Sequence, residues 1–185
     1  DVSIWSKVAR KISDELVAFD PENTDQYQKR REEYQKNLNA LHTYALMVFQ
    51  TIPEKQRVLV TAHDAFSYLG RAYGIEVRGI QGISTESEAG TKDINDLVTY
   101  LVDNKIPAIF VESSVSEKSV KTVIEGAAEK GHTVKIGGEL FSDAMGPAGT
   151  YQGTYIGMMD HNITTIVNAL GGRAPEGGFQ NKIND

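Results

Sequence analysis

The first fifty residues carry apolar side chains at helical spacing. The first apolar stripe consists of Val8, Ile12, Leu16 and Phe19. Its steps of four and three predict a helix over residues 2–19. The Asp-Pro pair that follows breaks this helix, and a polar residue of the segment 20–23 could cap the next one.

A second helical stripe runs through a much longer polar stretch. No glycine or proline occurs from residue 22 to residue 51, and Gln, Lys, Arg and Glu are frequent there. The apolar positions at helical spacing are Tyr27, Tyr34, Leu38, Leu41, Ala45 and Val48. They predict one helix of nearly 30 residues, about 45 Å long at ~1.5 Å per residue. Such a long helix with a thin apolar stripe is typical of a strut along a domain or between two domains.

From residue 57 onward the pattern changes to short apolar runs that alternate with helical segments. The predicted strands cover residues 57–62, 76–80, 108–111 and 133–136. The predicted helices cover residues 64–73, 91–104, 116–130 and 155–170. Alternation of this kind predicts βαβ units with right-handed crossovers. The predicted fold class is therefore α/β, with a four-stranded parallel sheet flanked by helices in a Rossmann-like lobe, preceded by a long linking α-helix.

These patterns divide the chain into four parts. A first helix covers residues 1–20, the linking helix covers residues 21–52, and the α/β lobe covers residues 56–171. Residues 172–185 are rich in glycine and polar side chains, which is typical of a flexible tail.

Composition narrows the candidate functions. The 185 residues carry a formal net charge of −6, whereas a nucleic-acid groove usually needs a basic patch, so no nucleic-acid partner is expected. No apolar run approaches the ~20 residues that span a bilayer. The chain has no cysteine, which excludes disulfides, thiolate metal ligands and thiol catalysis. A metal site would have to use histidine nitrogen and carboxylate oxygen.

Two candidate metal ligands follow predicted strands. His63 comes directly after the first strand, and Asp143 lies in the run that begins at Gly137-Gly138, which we place just beyond the last strand. Because open α/β sheets bind ligands at the carboxyl ends of their strands, the two side chains could meet at one metal site. Each also has a simpler interpretation, since His63 could be a hydrogen-bonding loop residue and Asp143 could cap a turn.

Two further carboxylates lie near the same edge. Glu112 ends the strand over residues 108–111, so it could bind a metal, orient His63 or act as a cap. We favour the orienting role. Asp64 is better placed as the N-cap of the next helix, which is why we prefer His63 to Asp64 as a ligand.

The remaining motifs carry little chemistry. His42, His132 and His161 have no histidine four residues away, so the paired-ligand pattern of zinc proteases is missing and surface or packing roles are simplest. The glycine-flanked loop over residues 79–88 matches neither phosphate-binding glycine pattern, although Ser84, Thr85 and Glu88 could contact the site. No serine-nucleophile elbow occurs.

Several segments, in this order, resemble one known family, the metal-binding lipoproteins that serve zinc and manganese ABC importers. They are VLVTAHDAF at 58–66, YG at 73–74, GIQGIST at 79–85, PAIFVESS at 107–114, GELFSDAMGPAG at 138–149 and GTYIGMM at 153–159. The resemblance implies two α/β lobes joined by a long rigid helix, with the metal between them and two ligands from each lobe. It assigns His63 as the third ligand, Asp143 as the fourth and Glu112 as a nearby acidic residue that supports the site.

The resemblance also implies what this chain lacks. Its start, from Asp1 to Trp5, resembles sequence just after the family's Asp-Pro-His-Val-Trp motif. The chain would then hold the linking helix and the C-terminal lobe, with residues 1–20 as a remnant helix after a missing N-terminal lobe that carries two further histidines. With half of its ligands, the chain is expected to bind metal weakly or not at all by itself.

The function predicted from this resemblance is non-enzymatic. It is capture of Zn(II) or Mn(II) outside the cytoplasmic membrane by a lipid-anchored parent protein, and delivery to the membrane subunits of an ABC permease, without an organic cofactor. Three histidines and one aspartate suit zinc, but such sites in the family include both metals. The alternatives are a cytosolic Rossmann-like enzyme or nucleotide-binding domain that uses His63 and Asp143 as acid and base, and a surface adhesin.

Overall fold

Two paired helices precede the first strand. The computed structural model describes residues 1–81, 90–113 and 116–183. Helix α1 covers Val2–Phe19, and its N-cap is Asp1, whose side chain accepts hydrogen bonds from two backbone N–H groups of the first turn. Helix α2 covers Thr24–Phe49, after a 3₁₀ turn at Pro21–Asn23. The predicted long helix is thus confirmed in kind but begins later, because the chain first turns at the proline.

The two halves of α2 have different partners. Its first half packs against α1, where the Trp5 indole N–H donates to the Tyr34 hydroxyl over 3.0 Å. Its second half carries all of its buried residues, from Leu38 to Phe49, and packs against the last helix of the lobe. The predicted strut is therefore built into the core of the lobe at one end.

The lobe alternates strands and helices as the pattern predicts. In chain order they are β1 at Val58–His63, α3 at Ser67–Tyr73, β2 at Glu76–Gln81, α4 at Thr91–Asn104, β3 at Ala108–Glu112, α5 at Lys118–Glu129, β4 at Lys135–Leu140 and α6 at Tyr155–Ala169. Gly74, Gly131 and Gly171 take positive φ just after helices, as glycines at helix C-termini do. The α/β class with parallel strands is confirmed.

The single four-stranded sheet is wrong. In the described residues, β1 pairs with β2 and β3 pairs with β4, so the strands form two parallel sheets of two. Strands β1 and β3 lie side by side, yet at the end of β1 the backbone N–H of His63 donates to the Glu112 side chain, not to the β3 backbone. A side chain thus takes the place of a ladder bond where the two sheets meet.

Strand β1 separates two cores. All six of its residues are buried. Leu59 joins the cluster formed with α2 and α6, whereas Val60 and Ala62 join the cluster formed with α4 and α5. Because side chains alternate across a strand, this confirms a strand covered on both faces.

Strand β4 runs further than predicted and contains a bulge. Gly137 and Gly138, which the pattern placed beyond the strand, lie inside it. The register with β3 slips by one residue between Ile109 and Val111. Gly138 has a φ of +146°, and a Cβ there would lie 2.5 Å from Thr165 Cγ2. The bulge therefore needs glycine at position 138. Beyond the bulge, β4 continues to Leu140.

The tail is packed against the lobe as far as residue 183, which differs from the predicted flexible segment. Phe179 is buried, and its ring lies 5.5 Å from that of Tyr44. The Phe179 N–H donates to the buried Asp160 carboxylate over 2.7 Å, and Tyr151 OH donates to the same group over 3.1 Å. Burial raises the pKa of Asp160, although these hydrogen bonds oppose the rise. The ring of Phe179 and the Asp160 carboxylate thus help to hold the glycine-rich segment against the lobe.

Candidate metal centre

Two strand ends bring a histidine and a carboxylate into a buried contact. His63 is the last residue of β1 and Glu112 is the last residue of β3, and each is 3% exposed. Glu112 Oε1 accepts the backbone N–H of His63 over 2.9 Å, and Glu112 Oε2 lies 2.7 Å from His63 Nδ1. Neither Nδ1 nor Oε2 forms a regular hydrogen bond with a described residue, so the two atoms meet as a close pair of a ring nitrogen and a carboxylate oxygen. Glu112 therefore fixes both the backbone and the ring of His63.

Asp143 reaches the opposite side of the imidazole ring. It lies in the bend after β4, and its side chain is 61% exposed, with Oδ2 3.4 Å from His63 Nε2. This separation is longer than a normal hydrogen bond between these atom types. The ring is thus held at Nδ1 by a buried carboxylate and faces an exposed carboxylate at Nε2.

This arrangement favours one tautomer of His63. A carboxylate beside Nδ1 stabilises the proton on Nδ1, which leaves the lone pair of Nε2 directed towards Asp143. A neutral imidazole nitrogen and a carboxylate oxygen are both good ligands for zinc and for related divalent metals. The pair can therefore act as two ligands on one side of a cation.

Glu112 does not enlarge this ligand set. Within the part of the chain that the structure describes, no group of three or more His, Cys, Asp or Glu side chains could hold a metal ion. Both Glu112 oxygens face groups of His63, as the distances above require. That Glu112 supports His63 as a metal ligand stays a prediction.

The other predicted residues have separate roles. Asp64 is not the N-cap of α3, since that position is Phe66; its carboxylate instead accepts the Ser67 hydroxyl over 2.7 Å. Each remaining histidine contacts a different partner. His42 contacts the Tyr73 hydroxyl, His132 contacts the backbone oxygen of Ile106, and His161 contacts the backbone oxygen of Glu139. Ser84, Thr85 and Glu88 lie outside the described residues.

Two residues that shape the site were missed by sequence reasoning. Gly79 on β2 pairs with Thr61, and a Cβ there would lie 2.6 Å from Asp64 N and 2.8 Å from His63 C. Asn162 on α6 is buried, and its carboxamide bonds both backbone groups of Phe141, two residues before Asp143. The one available signal was a polar side chain at a buried position of the apolar helix α6.

Lack of a membrane-spanning helix is a further observation. Among residues 1–81, 90–113 and 116–183, no helix is both long and apolar enough to cross a bilayer.

A parallel α/β lobe with a histidine and an aspartate at its strand ends, behind a long helix, is the arrangement expected of a metal-binding solute receptor. Residues 1–169 match the family described as zinc-uptake complex component A, periplasmic, and the chain belongs to this family. The family is one of solute-binding proteins.

Two curated relatives are similar over most of the chain. The manganese-binding lipoprotein MntA of Bacillus subtilis is 50% identical over 169 residues, which is 91% of this chain and 55% of that protein. The zinc-binding protein TroA of Treponema pallidum is 48% identical over 170 residues, which is 92% of this chain and 55% of that protein. The chain thus spans about half the length of these relatives.

Solved structures support the fold. The periplasmic zinc-binding protein TroA from Treponema pallidum superposes with a TM-score of 0.88 at 48% identity, over 92% of this chain and 61% of that one. Fe(III)-bound YtgA from Chlamydia trachomatis has a TM-score of 0.86 at 24% identity, over 95% of this chain and 63% of that one, and shows the fold alone.

Proposed function

We propose that this chain supplies half of a divalent-metal site in an extracytoplasmic substrate-binding component of a zinc or manganese ABC importer. His63 Nε2 and an Asp143 carboxylate oxygen are the two ligands, and Glu112 orients His63. The observation that carries the proposal is the 3.4 Å separation of His63 Nε2 from Asp143 Oδ2, with Glu112 Oε2 2.7 Å from the other ring nitrogen.

The separation suits a tetrahedral metal. With a metal–nitrogen and a metal–oxygen distance of ~2.1 Å, two atoms 3.4 Å apart subtend an angle of about 110° at the metal. Two water molecules, or two ligands from elsewhere, would complete four-coordination. Two side chains alone should bind weakly, in agreement with the absence of a larger ligand group among the described residues.

The names of the relatives support the proposed cargo and location. One similar protein is named for manganese and another, at almost the same identity, for zinc. Similarity therefore leaves both metals as candidate cargo. The relatives are named lipoproteins or periplasmic proteins, and one is named an ABC transporter substrate-binding lipoprotein. These names support an extracytoplasmic location, an ABC permease as partner and a transport role without catalysis. No observation favours the cytosolic enzyme alternative.

The test is a metal titration of the 185-residue chain labelled with ¹⁵N. Zn(II) binding is followed by the ring nitrogen shifts of His63, and Mn(II) binding by paramagnetic broadening of the same signals. We expect weak binding that shifts Nε2 more than Nδ1, and a loss of roughly tenfold or more in His63→Ala, read from neighbouring backbone signals, and in Asp143→Ala.

Asp64→Ala is the matched control, because Asp64 is the carboxylate next to His63 in sequence yet bonds Ser67. It should leave the affinity unchanged. Equal Zn(II) affinity in the parent chain and in Asp143→Ala would overturn the ligand assignment, as would a shift at Nδ1 in place of Nε2.

A further inference from the structure

Helix α6 reaches across to the end of β4 with two consecutive side chains. His161 Nε2 lies 2.9 Å from the backbone carbonyl oxygen of Glu139. The rings of Phe141 and His161 are 5.0 Å apart. The Asn162 carboxamide accepts the Phe141 N–H through Oδ1 over 3.0 Å and donates from Nδ2 to the Phe141 carbonyl over 2.7 Å. Both backbone groups of Phe141 are thus bonded to one side chain.

This contact lies at the residue that follows the end of the strand. The β3–β4 ladder closes with the pair Glu112–Leu140 and the bond from Ser113 N–H to Leu140 O over 3.1 Å. At the next residue, Phe141, the carboxamide of Asn162 takes the place of a neighbouring strand, since it offers one acceptor and one donor as a peptide group does. The chain can then turn away into the bend that carries Asp143.

Asn162 is itself held in place by burial in the core. Asn162 is 1% exposed, and its neighbours on the helix, Ile163 and Ile166, are fully buried in the core shared with α2. A buried carboxamide that lost its partners would leave its polar groups desolvated and without hydrogen bonds, which is unfavourable. The bonded arrangement is therefore strongly preferred over one in which Phe141 moves away.

We infer that Asn162 is the positioning residue for Asp143, and that it holds the carboxylate at metal-binding distance from His63 by clamping the backbone of Phe141. This inference rests on the proposed metal site. Asp143 is exposed and lies in a bend, whereas His63 is buried and contacts Glu112 through both its backbone N–H and its ring. The clamp lies two residues before Asp143 and fixes the backbone from which that residue continues.

The experiment is a double-variant cycle in the 185-residue chain, with Zn(II) alone as the probe and the His63 ring nitrogens as the readout. We expect Asn162→Ala to weaken Zn(II) binding roughly tenfold when Asp143 is present, as other supporting residues of metal ligands do. In the Asp143→Ala background the same change should alter the affinity less than twofold, because the ligand it positions is gone.

Asn168→Ala is the matched control. Asn168 is on the same helix and accepts the Ala174 N–H over 2.9 Å, so its loss removes an Asn contact to the tail without touching β4. It should leave Zn(II) binding unchanged. Asn162→Asp serves as a second variant if the alanine variant does not fold, since it keeps the acceptor for Phe141 N–H and replaces the donor by an oxygen that repels the Phe141 carbonyl.

The outcomes separate the two claims. If His63→Ala and Asp143→Ala leave Zn(II) binding unchanged, the metal site itself is wrong and the inference falls with it. If His63→Ala and Asp143→Ala weaken binding but the Asn162 variants do not, the metal site stands and the positioning role is overturned. The same conclusion follows if the Asn162 variants weaken binding equally in the presence and in the absence of Asp143.

Discussion

Adding one methyl group at Gly79 should disturb the proposed metal site through the backbone. In β2, a Cβ at Gly79 would lie 2.6 Å from Asp64 N and 2.8 Å from His63 C, whereas ordinary contact begins near 3.4 Å. All of the nearest atoms are backbone, so no side chain can rotate out of the way. The His63–Asp64 peptide would have to retreat by about 0.6–0.8 Å, more than the ~0.5 Å that a preorganised site tolerates.

The magnitude can be estimated from overpacking. An extra methyl group in a packed region typically costs ~1–3 kcal/mol, which for a chain of this length lowers the melting temperature by about 3–9 °C. Movement of the His63 peptide should also weaken Zn(II) binding by roughly tenfold, as loss of a supporting contact does. Thermal denaturation followed by circular dichroism measures the first effect in Gly79→Ala, and the His63 ring titration measures the second.

Gly70→Ala is the matched control. A Cβ at Gly70 would lie 2.6 Å from Val77 Cγ2 and 2.7 Å from Ile75 O, which are near the start of β2, whereas His63 is paired with Gln81 at its end. Gly70→Ala should lower the melting temperature without changing Zn(II) affinity. If Gly79→Ala keeps the parent affinity within twofold while it destabilises the fold, the claim that this glycine positions His63 is refuted.

Three other predictions follow from the described contacts. Glu112→Gln should shift the proton of the His63 ring away from Nδ1 and weaken Zn(II) binding roughly tenfold or more, and unchanged ring nitrogen shifts in the metal-free chain would contradict it. Asp160→Asn should change the pH dependence of stability. Because the pKa of Asp160 is raised in the folded state, its carboxyl group contributes to the free energy of unfolding. This contribution is fully present below the ordinary pKa of 3.8 and is lost as pH rises through the raised pKa of the folded state. The parent's unfolding free energy relative to Asp160→Asn, from urea denaturation, should therefore fall as pH rises from below 3.8, and a difference that is flat with pH would contradict this. Phe179→Ala should lower the free energy of unfolding by about 3 kcal/mol in the same assay while leaving Zn(II) binding unchanged. A change near zero would favour the predicted flexible tail over the packed one.

The elements that could be predicted from the sequence are those with a local signal. The spacing of apolar residues predicts the strands of the lobe and the long helix. Because open α/β sheets bind ligands at the carboxyl ends of their strands, the sequence also predicts that His63 and Asp143 lie close together, although they are 80 positions apart. Proximity of Glu112 follows from the same rule, because β3 ends at the same edge. These inferences need only the period of the pattern and the sense of a parallel sheet.

The split into two sheets has no local signal. Strands β1 and β3 are equally apolar whether or not their backbones form a ladder, since the pattern reports which faces are buried and not how far apart two backbones lie. The decisive contact is one carboxylate, Glu112, inserted between the strand ends to bond the His63 N–H. Tail packing is similar, because glycine-rich composition cannot reveal that Phe179 meets Tyr44 from a distant helix.

The residues that hold the ligands are harder to predict than the ligands, for a physical reason. A ligand must present a particular atom type at a strand end, and both constraints are visible in sequence. A supporting residue such as Asn162 works through the backbone of Phe141, 21 positions away, and Gly79 works by the absence of an atom next to His63. Asn162 bonds backbone atoms of Phe141, and the atoms nearest Gly79 are also backbone atoms. The residue types at the contacted positions therefore give no sign of either role. The proposed metal site on this lobe is consequently predictable from two side chains, while we expect its affinity to depend on backbone contacts that only the folded arrangement defines.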